Sequence, residues 1–343
     1  MTLQSGATTS ESAPLALPKY ADVCAAAERL TGRAVRTPLL ESPWLNERTG
    51  ARLLIKAEPL QRTGSFKFRG AFNCISQIEP AARARGVVAY SSGNHAQAVA
   101  AAARLHDTQA TIVMPNDAPS VKVTGTRRHG AEIVGYDRGT EIREEIAEQI
   151  AREKGATLIR PYEDFNAIAG QGTAGLEIAA ECRVRRIAPD VVVVPAGGGG
   201  LTAGCALAVS AEMPDAVLYT AEPRDYDDHA RSFAAGTRQR VKDMSVGSLC
   251  DALLSPEPGE RTFAINYRRV RGGITADDGA VLRAMAAAFY HLKLVVEPGG
   301  AVALAAVLNG ELEIKGKTVV VVASGGNVDP DIFRLALQEG GDA

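Results

Sequence analysis

Cysteine is scarce in this chain. Five occur in 343 residues (Cys24, Cys74, Cys182, Cys205 and Cys250), and no two stand in a CxxC spacing. That scatter excludes a disulfide framework and a cysteine-based zinc site, and it fits reduced thiols in a cytoplasm. The five histidines are equally dispersed, with no HExxH. No basic block or arginine-rich tract is present, and 38 basic residues nearly cancel 40 acidic ones, for a formal net charge of −2. Nucleic acid is therefore not expected as a partner, and neither is electrostatic capture of a cationic one. Long apolar runs are also missing. "AVAAAARL" and "AVALAAVL" are the longest, far short of the roughly 20 residues that span a bilayer, so no membrane association is expected. The opening "MTLQSGATTSESAPLALPKY" has no basic segment leading into a long apolar core. Residues 1–18 read as a disordered tail and not as a signal peptide.

What is present is an ordinary globular composition, 46% apolar and 23% charged, in a chain long enough for two domains. Short β-rich runs alternate with helical patterns. The expected strands are 52–58, 86–90, 110–115, 131–136, 156–162, 190–196, 217–222 and 317–324, with helices such as "TEIREEIAEQIAREKG" between them. This alternation predicts an α/β fold of parallel sheets covered by helices on both faces. Val191–Val194 is apolar at every position, as in strands buried on both sides. Eight or more strands imply two sheets. The stretch 236–274, richer in proline and glycine, reads as a long irregular excursion.

Three glycine-rich turns follow strands, and each is expected to open a helix: "SSGNHAQA" (91–98), "AGGGGLTAG" (196–204) and "SGGN" (324–327). In parallel sheets such turns sit where ligands bind. Gly197, Gly198, Gly199 and Gly200 have no Cβ to keep backbone N–H groups from converging on an anion, and a helix N-terminus follows. This reads as a phosphate cradle. The alternatives are a plain glycine hinge, or a dinucleotide site with Glu222 as the ribose-binding acid. In "SSGNHAQA", Ser91, Ser92, Asn94 and His95 place four hydrogen-bonding side chains at a strand end, where they fit a carboxylate or second anion. His95 alone also fits a satisfied structural histidine. Lys67 lies in "TGSFKFRGAFN" between Phe66 and Phe68. Either it sends its charge to water from an amphipathic helix, or it is a desolvated amine with a lowered pKa, able to condense with a carbonyl. A phosphate cradle, an amine in apolar surroundings and a polar strand-end loop together suit pyridoxal 5′-phosphate.

With those residues in view, the chain resembles the fold-type II pyridoxal-phosphate enzymes, the group of serine/threonine dehydratases and serine racemases. The resemblance runs over roughly residues 20–335 and rests on seven motifs in order: "SFKFRG" (65–70), "SSGNHAQA", "AGQGT" (169–173), "PAGGGGL" (195–201), "EPRDYDD" (222–228), "EPGGA" (297–301) and "SGGN". It implies a tryptophan synthase β-like architecture of two doubly wound sheet domains with the active site between them. Residues 19–76 and 165–343 would form the large cofactor-binding domain, and 77–164 a small mobile one. It also implies a homo-oligomer.

By the same resemblance, Lys67 is the lysine that holds the cofactor aldehyde and the catalytic base. Phe66 packs on the pyridine ring and Asn94 bonds the ring hydroxyl. Gly197–Gly200 hold the phosphate, and Ser324 faces the ring nitrogen. A serine there, unlike an aspartate, does not keep the nitrogen protonated, which favours β-elimination over transamination. Ser91, Asn94 and His95 would receive the substrate carboxylate. Ser92 matches the serine that acts on the opposite face of Cα in the racemases; the plain alternative is a solvated turn hydroxyl. Glu222, Asp228 and the Tyr226 carbonyl match a divalent-cation site suited to Mg²⁺, Ca²⁺ or Mn²⁺, against the alternative of an acidic helix N-terminus. "SLCDAL" (248–253) puts Ala252 where relatives carry glycine, which leaves the substrate open. "LLSPEPGERTF" (253–263) ties to no substrate.

The expected activity is dehydration of L-threonine or L-serine to a 2-oxo acid and ammonia. A serine racemase, or a dehydratase of 3-hydroxyaspartate or a bulkier 3-hydroxy amino acid, is the alternative within the family. A nucleotide-binding dehydrogenase and a non-catalytic cofactor-binding protein are the alternatives outside it. Because the last strand and "SGGN" fall within the final 30 residues, no regulatory domain is expected after them.

Overall fold

The computed structural model describes residues 15–118 and 120–340. Two sheets organise them. The larger has six strands in the order β1 (Leu39–Glu41), β2 (Arg52–Ala57), β10 (Thr318–Ala323), β7 (Val191–Pro195), β8 (Val217–Pro223) and β9 (Val270–Ala276). The smaller has four, in the order β5 (Glu132–Tyr136), β4 (Ala110–Pro115), β3 (Val87–Tyr90) and β6 (Thr157–Leu158). All pairings are parallel except β1 with β2. The chain leaves the large sheet after β2, builds the small one, and returns at β7.

Valine repeats dictate this arrangement because both faces of the large sheet are covered. Val191, Val193, Ile55, Val319 and Val321 point into one apolar layer with Met285 and Val302. Val192, Val194, Leu54, Val320 and Val322 point into the other, with Ile178 and Leu201. A run without polar alternation is what such a strand requires. The helices Phe165–Arg185 and Gly200–Glu212 pack closely over the second layer. A Cβ on Gly204 would lie 2.4 Å from Gly172 N, so two glycines set that approach.

The eight expected strands all exist, with three corrections. The 156–162 candidate is a strand only at Thr157–Leu158, and Pro161, with no N–H to give a ladder, stands beyond its end. β1 and β9 were not expected: β1 is three residues long, and β9 carries Gly272 and Gly273. The 236–274 excursion accordingly contains the helix Glu260–Asn266 and the start of β9. The "SGGN" turn does not open a helix directly; the next one begins at Pro330. Of the expected tail, residues 1–14 lie outside the described residues. Residues 16 and 17 are held: Arg261 donates to Ala16 O at 2.8 Å, and Leu17 packs on the cluster of Val23 and Ile168. Among the described residues no helix is long and apolar enough to cross a membrane.

Candidate active site

Lys67 is the first residue of the helix Lys67–Ser76. The "SGGN" turn clasps the segment just before it. Ser65 bridges to Gly325, and Phe66 N donates to Ser324 O at 3.1 Å. Two residues later the wholly buried Arg69 anchors the helix. Its guanidinium meets Glu58 at 2.8 Å and Glu177 at 2.7 Å, and Lys56 reaches Glu177 at 2.6 Å. The lysine is thereby aimed inward. Its Nζ donates to Pro161 O at 2.9 Å and lies 5.1 Å from the centre of the Phe66 ring. Phe68 turns the other way, into the core beside Phe72. Loss of water lowers the amine to about 8, while nearby Glu297 pulls it back up. The structure thus turns Lys67 into a cavity, away from bulk water.

Every residue singled out for cofactor or carboxylate lines the same cavity of about 200 Å³: Phe66, Lys67, Ser91, Ser92, Asn94, His95, Gly197–Gly200 and Ser324. The tetraglycine bends between β7 and the helix Gly200–Glu212, with Gly199 at φ 88°. A Cβ on Gly198 would lie 2.3 Å from the Tyr162 ring, and one on Gly200 would lie 2.7 Å from Gln171 Oε1. The turn is a filled shape, not a slack hinge.

Asn94 begins the helix Asn94–Leu105 and is held at both ends of its amide. Its Nδ2 donates to Glu297 Oε1 at 2.5 Å, and its Oδ1 accepts from Asn327 Nδ2 at 2.7 Å. Burial, with Asp251 adding to it, raises Glu297 to about 7. His95 Nε2 donates to Ile159 O at 2.9 Å, and burial drops its pKa to about 3, so the ring is neutral. Its side chain brings no positive charge to a carboxylate. What it can offer is its backbone N–H at the helix start. Two further basic side chains do line the cavity. Lys122 pairs with Asp251 at 2.6 Å, and the Arg143 guanidinium sits 5.5 Å over the Tyr90 ring.

A family model described as "Pyridoxal-phosphate dependent enzyme" matches residues 30–325. The chain belongs to that family. It is 45% identical over 323 residues to an L-threo-3-hydroxyaspartate ammonia-lyase of a Pseudomonas species, covering 94% of this chain and 99% of the relative. With the enzyme of that name from Saccharomyces cerevisiae it shares 41% over 313 residues, covering 91% and 94%. The solved structure of maize serine racemase superposes with a TM-score of 0.87 at 35% identity, covering 95% and 99%. The architecture is thus the fold-type II one, and the dinucleotide reading of the tetraglycine is set aside.

The residues of this pyridoxal-phosphate dependent enzyme fit the cofactor by their own chemistry. Lys67 offers an amine of lowered pKa for the aldehyde. The tetraglycine, packed where side chains would stand, lines the cavity with backbone that can donate to an anion, and Ser324 is a buried hydroxyl on the same wall. Sequence reasoning missed several neighbours. Glu297, Asn327 and Gln171 sat inside quoted motifs without a role. Lys122, Arg143, Tyr90 and Tyr162 gave no signal, because a lone charged or aromatic residue on a helix or loop looks like any surface residue.

The expected cation ligands lie apart from this cavity. Glu222 lies one residue before the end of β8, and its carboxylate meets the first turn of the helix Asp228–Ala235. Its Oε1 accepts from His229 N at 2.7 Å and its Oε2 from Ala230 N at 2.9 Å. The Tyr226 hydroxyl donates to Val246 O at 2.9 Å. Burial pushes Glu222 well up, with Asp228 adding to it, and raises Asp228 itself to about 7. Asp228 Oδ2 has no partner. Among the described residues no group of three or more His, Cys, Asp or Glu side chains is placed to hold a metal. The contacts seen at Glu222 are those of the acidic helix N-terminus.

Proposed function

We propose that this enzyme is an ammonia-lyase for a 3-hydroxy amino acid with a second carboxylate, 3-hydroxyaspartate, and releases a 2-oxo acid and ammonia. The observation that carries the reading is the pair Lys122 and Arg143 on the cavity wall. One carboxylate is served by the start of the helix at Asn94 with Ser91. L-Serine or L-threonine would make no use of either cation, which pair with Asp251 and Glu144 in the structure, whereas a dicarboxylic substrate can engage them. Two relatives above 40% identity carry that substrate in their names, which supports the same choice.

When bound, the cofactor withdraws electrons from the bond broken at Cα. The chain's residues do the rest. Lys67 Nζ, neutral above a pKa of about 8, takes the Cα proton as general base. The N–H groups of the tetraglycine would hold the phosphate. Asn94, fixed by Glu297 and Asn327, would present its remaining N–H to the ring oxygen. The Ser324 hydroxyl would face the ring nitrogen without placing a full positive charge there, which would favour loss of the Cα proton and the β-hydroxyl together, as one water, over a long-lived carbanion. Ser92 on the cavity wall is the hydroxyl available for proton return on the second face.

The test is 2-oxo acid release over a panel of hydroxy amino acids. Arg143→Ala and Lys122→Ala are each expected to raise KM for 3-hydroxyaspartate by about tenfold or more, and to leave KM for serine nearly unchanged. A wild-type preference for threonine or serine, or equal losses on both substrates, would sink the assignment.

A divalent cation beside Glu222 and Asp228 belongs to the same proposal. The two carboxylates are buried next to each other, and one oxygen of Asp228 is unpartnered. A hard cation would offset that desolvation. Chelator is expected to lower Tm by several degrees, and Mg²⁺, Ca²⁺ or Mn²⁺ to restore it. An unmoved Tm would mean that the carboxyls stay protonated instead.

A further inference from the structure

Behind the tetraglycine turn, three buried side chains each meet one of three consecutive carbonyls. His229 Nε2 lies 2.8 Å from Gly197 O, Thr262 Oγ1 lies 2.6 Å from Gly198 O, and Asn266 Nδ2 lies 3.3 Å from Gly199 O. All three residues are fully buried. Thr262 and Asn266 stand one turn apart on the helix Glu260–Asn266, and His229 comes from the helix Asp228–Ala235. They touch the turn directly: a Cβ on Gly199 would lie 2.6 Å from His229 Cε1 and 3.0 Å from Thr262 Oγ1.

In a trans peptide the C=O and N–H point to opposite sides. Holding the carbonyls of Gly197, Gly198 and Gly199 backward therefore aims the N–H groups of Gly198, Gly199 and Gly200 forward, into the cavity these residues line. A carbonyl that accepts a hydrogen bond also makes the N–H of its own peptide a better donor. We propose that His229, Thr262 and Asn266 are positioning residues that set the affinity for the cofactor phosphate from behind the turn. The excursion that tied to nothing in the sequence thereby has a task, since its helix supplies two of the three donors. His229 adds no formal charge. Its partner is a carbonyl, so Nε2 carries the hydrogen, and Nδ1 is left without a partner. Burial drops the ring to about 4, which keeps it neutral at physiological pH.

The inference rests on the family assignment and not on the choice of substrate. Retention of pyridoxal 5′-phosphate by the wild-type holoenzyme on dialysis is measured first, so a failed cofactor assignment shows itself separately. Thr262→Val keeps the shape and removes the donor. It is expected to weaken cofactor binding about five- to tenfold, the size of one net hydrogen bond, and to move the ³¹P resonance of the bound phosphate. Asn266→Leu is expected to do the same. Thr262→Ser should restore wild-type affinity. Binding of pyridoxal, which lacks the phosphate, should be unchanged in all of them. Equal losses for pyridoxal and its phosphate would reduce these side chains to scaffolding, and wild-type affinity in Thr262→Val would overturn the proposal.

Discussion

Lys67 and Glu297 share one cavity, and the loss of water drives both toward neutrality, the amine down to about 8 and the carboxyl up to about 7. The two effects act on stability in different pH windows. Glu297 ordinarily titrates at 4.5. Between that value and 7 the unfolded chain has already released a proton that the folded chain still holds. The unfolded state therefore binds fewer protons, and stability falls as pH rises through the window. For Lys67 the window runs from 8 to its ordinary 10.5, and there stability rises with pH because the unfolded chain holds the extra proton. Urea melts of the cofactor-free protein at pH 5, 6, 7 and 8 check the first case. Stability should decline toward pH 7, and Glu297→Gln should reduce the slope. Asp228, also near 7, contributes with the same sign, so some slope persists. An undiminished slope in the variant would assign all of it to other carboxyls. Lys67 was legible because its motif is local. Glu297 was quoted and passed over because its partner Asn94 is 203 residues away, and no short pattern records such a contact.

Helices and strands were legible where their residues answered to a periodic environment. The valine strands are apolar throughout because each is covered on both faces. β9 was missed because its glycines look like turn signals, yet Gly273 is there for clearance. A Cβ on it would lie 2.7 Å from that of Ala230 and 2.9 Å from Glu222 Oε2. The same logic governs the crossing of the helices Phe165–Arg185 and Gly200–Glu212. Two effects compete in Gly204→Ala. Alanine gains about 1 kcal/mol of helix propensity over glycine. Its methyl would meet Gly172 N and Ile168 O, each at 2.4 Å, and these backbone atoms yield only if the helices separate. Overpacking of that kind costs about 1–3 kcal/mol, so the variant should unfold at lower urea than wild type. A variant as stable as wild type would show that the crossing has slack.

At the scale of the molecule, the site exists only because two sheets meet. The part built on β3–β6 brings Ser91–His95, Lys122 and Arg143; the part built on the larger sheet brings the tetraglycine, Glu297 and Ser324. The order of motifs announced both halves. Which charged residues would face each other across the join was not written in any one motif, and the Lys122–Asp251 pair is the clearest case: 129 residues separate its members. The pair joins the helix Ser120–Arg128 to the short turn Asp251–Leu253. Asp251 is more than half exposed, at 58%, so the bridge is worth no more than about 1 kcal/mol. That is weak enough for the second carboxylate of the proposed substrate to displace it, and on that proposal Asp251 competes for Lys122. Asp251→Asn should then lower KM for 3-hydroxyaspartate several-fold, leave KM for serine unchanged and barely move Tm. It should also let Glu297 titrate lower, because Asp251 is one of the groups holding it up. If KM for the dicarboxylic substrate rises instead, the bridge serves to hold the two halves in register, and Lys122 binds substrate only while Asp251 keeps it in place.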